Sequence, residues 1–202
     1  MPFPKKMRAQ FMMVHRIRTA LLALLAASSL AASATAQDTK PAADADKLFA
    51  PIAGVLRDPR CLNCHPVDDR PRQTDERRIH QMNVVRGPDN LGFVNMRCNA
   101  CHRDENNDHT GVPGAPNWHL APLSMGWQGL DDGALCDALL DTNKNGGKSL
   151  DEIVKHLRDD PLVLWGWAPG KGRKPVHMPH PEFMTHVEAW QSAGAPCPAA
   201  QK

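Results

Sequence analysis

Two short runs in this sequence carry recognisable chemistry. Cys61-Leu62-Asn63-Cys64-His65 and Cys98-Asn99-Ala100-Cys101-His102 both read C-x-x-C-H. That spacing is the attachment pattern of c-type haem. Two thiols two residues apart reach the two vinyl groups of a porphyrin and form thioethers, and the adjacent His supplies the proximal imidazole to its iron. Other uses of the same residues fit less well. A thioredoxin-type redox pair needs no His after its second Cys in both copies. A four-cysteine zinc site would leave His65 and His102 without a role and is expected mainly inside cells. The expectation is two covalent haem c groups, held by Cys61, Cys64, Cys98 and Cys101 and ligated by His65 and His102.

The sixth position on each iron is the next question. His80 lies between the motifs in Arg77-Arg78-Ile79-His80-Gln81-Met82, a loop short enough to fold over either haem. That spacing resembles the small dihaem subunit of periplasmic nitrate reductases, in which a His between the motifs binds iron. His119 and Met125 sit in WHLAPLSMGW, where aromatics and Pro suit a haem wall. Met178-Pro179 before a terminal helix resembles the Met-Pro ligand loop of single-haem cytochromes c. The order of expectation is His80, His119, Met125, Met178. A Met sixth ligand raises the potential and a second His lowers it. His109, His156, His177, His180, His186, Met82, Met96 and Met184 are the further candidates, outside that order.

Haem attachment of this kind goes with export. Residues 1–18 carry Lys5, Lys6, Arg8, Arg16 and Arg18 and no acid, and residues 19–32 are almost all Ala, Leu and Ser. Ala34-Thr35-Ala36 then reads as a small-x-small cleavage site, so residues 1–36 are expected to be a secretory signal peptide and 37–202 a periplasmic domain. An uncleaved membrane anchor is the alternative, against which stand the short, Ala-rich apolar run and the cleavage site. The mature chain would not span a membrane. Cleavage would remove five basic residues from a chain of 24 basic and 22 acidic ones, leaving a net charge of −3. The case for nucleic-acid binding goes with them. The remaining charge is uneven: residues 57–103 hold nine Arg and six acids, while 104–160 hold eleven acids and four bases. Such a dipole suits a carrier that docks by one face, although an uneven solvated surface would look the same.

The elements that must position these groups are helices. Apolar periodicity and end signals place them at 43–57, 131–141, 150–159 and 181–193. Pro51 is expected to kink or begin the first. Ser149 and Glu152 form a capping box at the third, and Gly194 stops the last. Residues 66–97 and 103–130 read as haem-wrapping loops, and no strand is convincing. The fold class is therefore mainly α, small cytochrome c-like helices with long loops and no significant sheet. Two haem lobes, at about 43–103 and 104–197, are one arrangement of it. With no Tyr in the chain, two porphyrins would supply apolar surface that aromatic side chains usually supply. Cys136 and Cys197 remain over. In an oxidising compartment the default is a disulfide, and a Cys distal ligand of the thiol-oxidising type is the alternative. Asp141-x-Asn143-x-Asn145-Gly146 with Glu152 fits the EF-hand calcium loop, but only one of its first three ligand positions is a carboxylate, and Glu152 already has a capping role.

The stretches RIHQMNVVRGPDN, GVPGAPNWHLAPLSMGWQG and LVLWGWAPGKGR together resemble a family of exported bacterial dihaem c-type cytochromes often labelled isoquinoline 1-oxidoreductase subunit. The resemblance covers roughly residues 57–197. It implies an electron-accepting partner of a molybdenum hydroxylase, not the hydroxylase itself, because the chain has no plant-type ferredoxin Cys run. The expected function is a dihaem electron carrier serving that or a respiratory enzyme. A small dihaem enzyme, a peroxidase or a thiosulfate-type oxidoreductase with one open iron position, is the alternative.

Overall fold

The computed structural model describes residues 40–201. The expected signal segment, 1–36, lies outside the described residues. Helix α1, Lys40–Leu56, continues through Pro51 instead of starting at it. Its buried stripe of Ala45, Phe49, Ile52, Ala53, Val55 and Leu56 explains why packing overrides the one amide that Pro cannot donate. A short helix α2, Pro59–Leu62, follows at once. Asp58 caps it by accepting from the Arg60 amide at 2.9 Å, and Pro59 occupies its first turn.

Three further long helices complete the core. α3 is Asp132–Leu140, capped by Asp131 on the Ala134 amide. α4 is Leu150–Asp159, and both arms of the Ser149–Glu152 capping box are formed. The one-turn α5, Pro161–Leu164, is capped by Asp160. α6 is His180–Ser192, and its Phe183, Val187 and Trp190 are fully buried. α1 packs on α6 and α3, and α4 packs on α5 and α6. Phe49 meets Trp190 with ring centroids 5.6 Å apart. Residues of both expected lobes, Phe49 to Leu62 and Leu135 to Trp190, therefore share one core. Among the described residues no helix is long and apolar enough to cross a membrane.

The molecule is mostly helical, and its only sheet among the described residues is two antiparallel hairpins. β1 (Arg72–Gln73) pairs with β2 (Arg78–Ile79), and β3 (Gly92–Phe93) pairs with β4 (Met96–Arg97). With two residues per strand there is no run long enough to alternate, so sequence pattern does not reveal them. The first hairpin turns through left-handed Thr74 and Arg77.

Cys136 and Cys197 form a disulfide with a Cα–Cα separation of 5.5 Å, tying the last loop to α3 across 61 residues of sequence. A loop of that length contributes about 4 kcal/mol by the chain-entropy argument. Thermal unfolding of a Cys136→Ala, Cys197→Ala protein should show a loss of about 2–4 kcal/mol. A loss near zero would mean that the core alone holds the terminal loop.

The loop that fits the calcium pattern has other work. Asn145 is buried and donates to the Leu139 and Lys148 carbonyls at 2.7 and 2.9 Å while accepting from the Lys148 amide. Glu152 accepts from the Ser149 amide and hydroxyl. Those bonds hold its carboxyl below the usual range.

Candidate cofactor-binding sites

The two C-x-x-C-H runs fold alike although their surroundings differ. In the first, the Cys64 and His65 amides both donate to the Cys61 carbonyl, at 3.1 and 3.2 Å. In the second, the Cys101 and His102 amides donate to the Cys98 carbonyl, at 3.2 and 2.9 Å. Each run is thus one helical turn, which brings positions i, i+3 and i+4 to one side. The four thiols are not in disulfides.

Both histidines are oriented in the same way. His65 Nδ1 lies 2.8 Å from the Met125 carbonyl, and His102 Nδ1 lies 2.8 Å from the Pro113 carbonyl. A carbonyl only accepts, so each Nδ1 carries the hydrogen and each Nε2 keeps its lone pair. Metal-bound histidines are held by this kind of bond. Each ring also stacks on a Trp. His65 lies on Trp127 with centroids 3.4 Å apart, and His102 on Trp118 at 4.4 Å. Burial pushes His65 down to about 3 and lowers His102 as well, so both are neutral. Burial likewise raises the Cys64 thiol to about 11 and pushes up Cys61 and Cys98.

The acceptor carbonyls come from one segment, 113–127, which straps both motifs. Its Ala121 amide donates to the Cys64 carbonyl at 3.1 Å and its Trp127 amide to the His65 carbonyl at 3.2 Å. Two glycines permit the approach. A Cβ on Gly126 would stand 2.8 Å from Val67 Cα, and one on Gly114 would overlap the Arg103 and Glu105 carbonyls. Gly114→Ala should therefore push the Pro113 carbonyl away from His102. An overpacked site of this kind loses about 1–3 kcal/mol in denaturant unfolding. An unchanged midpoint would show that the strap yields freely.

Each His faces a cavity. The His65 cavity has an empty volume of about 940 Å³, with apolar walls from Leu56, Leu139, Ile153, Leu157 and Val163. The His102 cavity is about 1110 Å³ and includes His80, Leu120, Trp165 and Arg173. Both volumes include space open to solvent. Arg60 and Cys64 line both cavities, so the two sites share a wall. Trp127 Nε1, in the wall of the His65 cavity, is buried with no partner in the protein, a donor left for a bound group. Among the described residues no three His, Cys, Asp or Glu side chains gather to hold a bare metal ion. Each site instead offers two free thiols and one imidazole with an unshared nitrogen.

The structure separates the four expected distal residues. His80 stands across from His102, ring centroids 6.0 Å apart and planes at 71°. Hairpin β1–β2 puts it there: the His80 amide donates to the Pro71 carbonyl at 2.9 Å, and Asn63 donates to the Thr74 carbonyl at 2.9 Å. An ion pair from buried Arg60 to Asp75 ties the same hairpin to the first motif. His80 Nδ1 faces the Gln81 carbonyl at 2.8 Å, which again leaves Nε2. Met125 is buried in the wall of the His65 cavity, but its carbonyl receives the His65 hydrogen, so it stands on the strap side. His119 is also on the strap and lines the same cavity, its Nδ1 turned to the Asn117 carbonyl. Met178 lines neither cavity. It packs on the core, and its carbonyl accepts from Trp167 Nε1 at 2.7 Å. Two groups had no clear sequence signal. The Met125 and Pro113 carbonyls are backbone atoms that any residue would supply. His156 on α4, in the His65 cavity, is hidden in an ordinary amphipathic pattern.

No protein-family model matches the chain, and no curated protein or solved structure matches it.

Proposed function

We propose that this protein is an exported dihaem c-type cytochrome, an electron carrier that works in the periplasm with a partner oxidoreductase. The observation that carries the reading is the repeated geometry of the two motifs. Each is one turn bearing two thiols and a neutral His, whose Nδ1 is held by a strap carbonyl and whose Nε2 is left free beside a cavity. Haem bound there would supply one-electron chemistry between Fe(III) and Fe(II). The chain's own part is to fix the two sites, keep water from them and set their potentials through ligand and burial.

The shared wall of Arg60 and Cys64 suits electron passage between the two sites. The second site lies nearer the surface. Cys101 is exposed, and Leu91, Phe93, Val94 and Met96, just before the second motif, are large exposed apolar side chains. Such a patch beside a redox site suits transient docking of a partner. A molybdenum hydroxylase or a respiratory enzyme is the kind of partner the sequence resemblance implies.

Intact mass is the direct test. The mature protein should exceed its apo mass by two haems, and acid–acetone should extract neither. Its optical and EPR spectra should show two six-coordinate low-spin irons indifferent to carbon monoxide. A mass with no haem or one haem overturns the dihaem reading. Two haems with one high-spin, peroxide-reactive iron would make it a small dihaem enzyme instead of a carrier.

A further inference from the structure

Resting on the dihaem reading, the geometry points to His156 as the sixth ligand of the iron under His65, with Asp160 as the residue that positions it. His65 Nδ1 is bonded to the strap at Met125, so its Nε2 looks away from the strap and into the cavity. Met125 and His119 belong to the strap, on the side from which the ring is held. α4 and α5 line the same cavity through Ile153, Leu157 and Val163, and His156 is the imidazole they contribute to it.

His156 is also prepared for the role. Its Nδ1 bonds Asp160 Oδ2 at 2.9 Å, an i,i+4 contact along the end of α4. Asp160 is itself fixed, because Oδ1 caps α5 on the Leu162 amide at 2.9 Å and its amide donates to the His156 carbonyl. A carboxylate on one ring nitrogen sets the tautomer and leaves Nε2 as a good donor to metal. His119 is held by the Asn117 carbonyl and belongs to the strap that also holds His65. The two irons would then carry matching sets, His65 with His156 and His102 with His80. Each distal imidazole would come from a different element than its proximal partner.

The experiment compares His156→Ala with His119→Ala in the haem-loaded protein. Intact mass is read first, since wild type without two haems fails the parent reading and not the ligand assignment. In His156→Ala both haems should remain by mass. Half of the low-spin EPR intensity should be lost, carbon monoxide should bind one equivalent, and added imidazole should restore the low-spin spectrum. His119→Ala should stay fully low-spin. A fully low-spin His156→Ala protein overturns the assignment. A second variant covers the case in which His156→Ala does not fold. Asp160→Asn keeps a cap for α5 and weakens the donor on His156. It should raise the potential of one haem and leave the other unchanged. Two unchanged potentials would equally overturn the assignment.

Discussion

If the chain carries the two haems proposed above, a His80→Ala protein should keep the mass of both and lose the sixth ligand from one iron. His80 and His102 present their rings 6.0 Å apart. An iron bonded to both needs about 2 Å on each side for the metal–nitrogen bond, plus about 1 Å from each nitrogen to its ring centre, a span of about 6 Å. The spacing of the pair would therefore suit two imidazoles held by one iron. Little entropy is spent in holding it so. The hairpin is closed by the Arg72–Ile79 and Gln73–Arg78 pairing, and it is fastened to Asn63 and Arg60 of the first motif. Removing the imidazole leaves both thioethers intact. The iron so exposed would be high-spin and open to carbon monoxide, and its potential would rise because a strong donor to Fe(III) is gone. EPR of the oxidised protein and carbon monoxide titration of the reduced protein read the two consequences separately. A fully low-spin spectrum with both potentials unchanged would return His80 to the surface.

How much of this was legible in the residues differs from element to element. The four long helices were, because each buries a stripe with helical period and is closed by readable signals, such as the Ser149–Glu152 box or Gly194 after α6. The disulfide was, because only Cys136 and Cys197 stand outside the two motifs. The position of His80 between the motifs was legible too, but not the hairpin that presents it, since two-residue strands have no period. The strap was legible as a wrapping loop, but its contacts were not. What it offers His65 and His102 are main-chain carbonyls, and those leave no mark on residue type. His156 was one of several candidate histidines, and nothing in the sequence singled it out. Its Asp160 partner at i+4 looks like any helix-surface pair until the cavity on its other side is seen.

Arg86 shows the same limit from the side of stability, and its replacement should be the most damaging single change outside the two motifs. The side chain is 5% exposed. Its guanidinium donates to the Pro66 and Asp68 carbonyls at 3.3 and 3.1 Å, to the Ala121 carbonyl, and to Asn90 Oδ1 at 3.0 Å. Three segments distant in sequence thus meet on one planar fork: the loop leaving His65, the loop after the first hairpin, and the strap. Asp69, whose carbonyl accepts from the Arg86 amide at 2.8 Å, adds an exposed and weaker ion pair. In Arg86→Ala the carbonyls that faced the fork lose a charged donor in a place water reaches poorly. Hydrogen bonds to charged groups are worth about 1.5–3 kcal/mol each and are not additive, so the loss should be about 3–5 kcal/mol in denaturant unfolding. Arg86→Lys should recover little of it, because a point ammonium cannot serve acceptors spread around a plane. The damage should also be felt at the first motif. Arg86 holds Ala121, whose amide holds the Cys64 carbonyl, so the iron under His65 should become more open to carbon monoxide while the one under His102 does not. A loss below about 1 kcal/mol would show that water replaces the guanidinium on those carbonyls, and that the strap is held by its own bonds to Cys64 and His65.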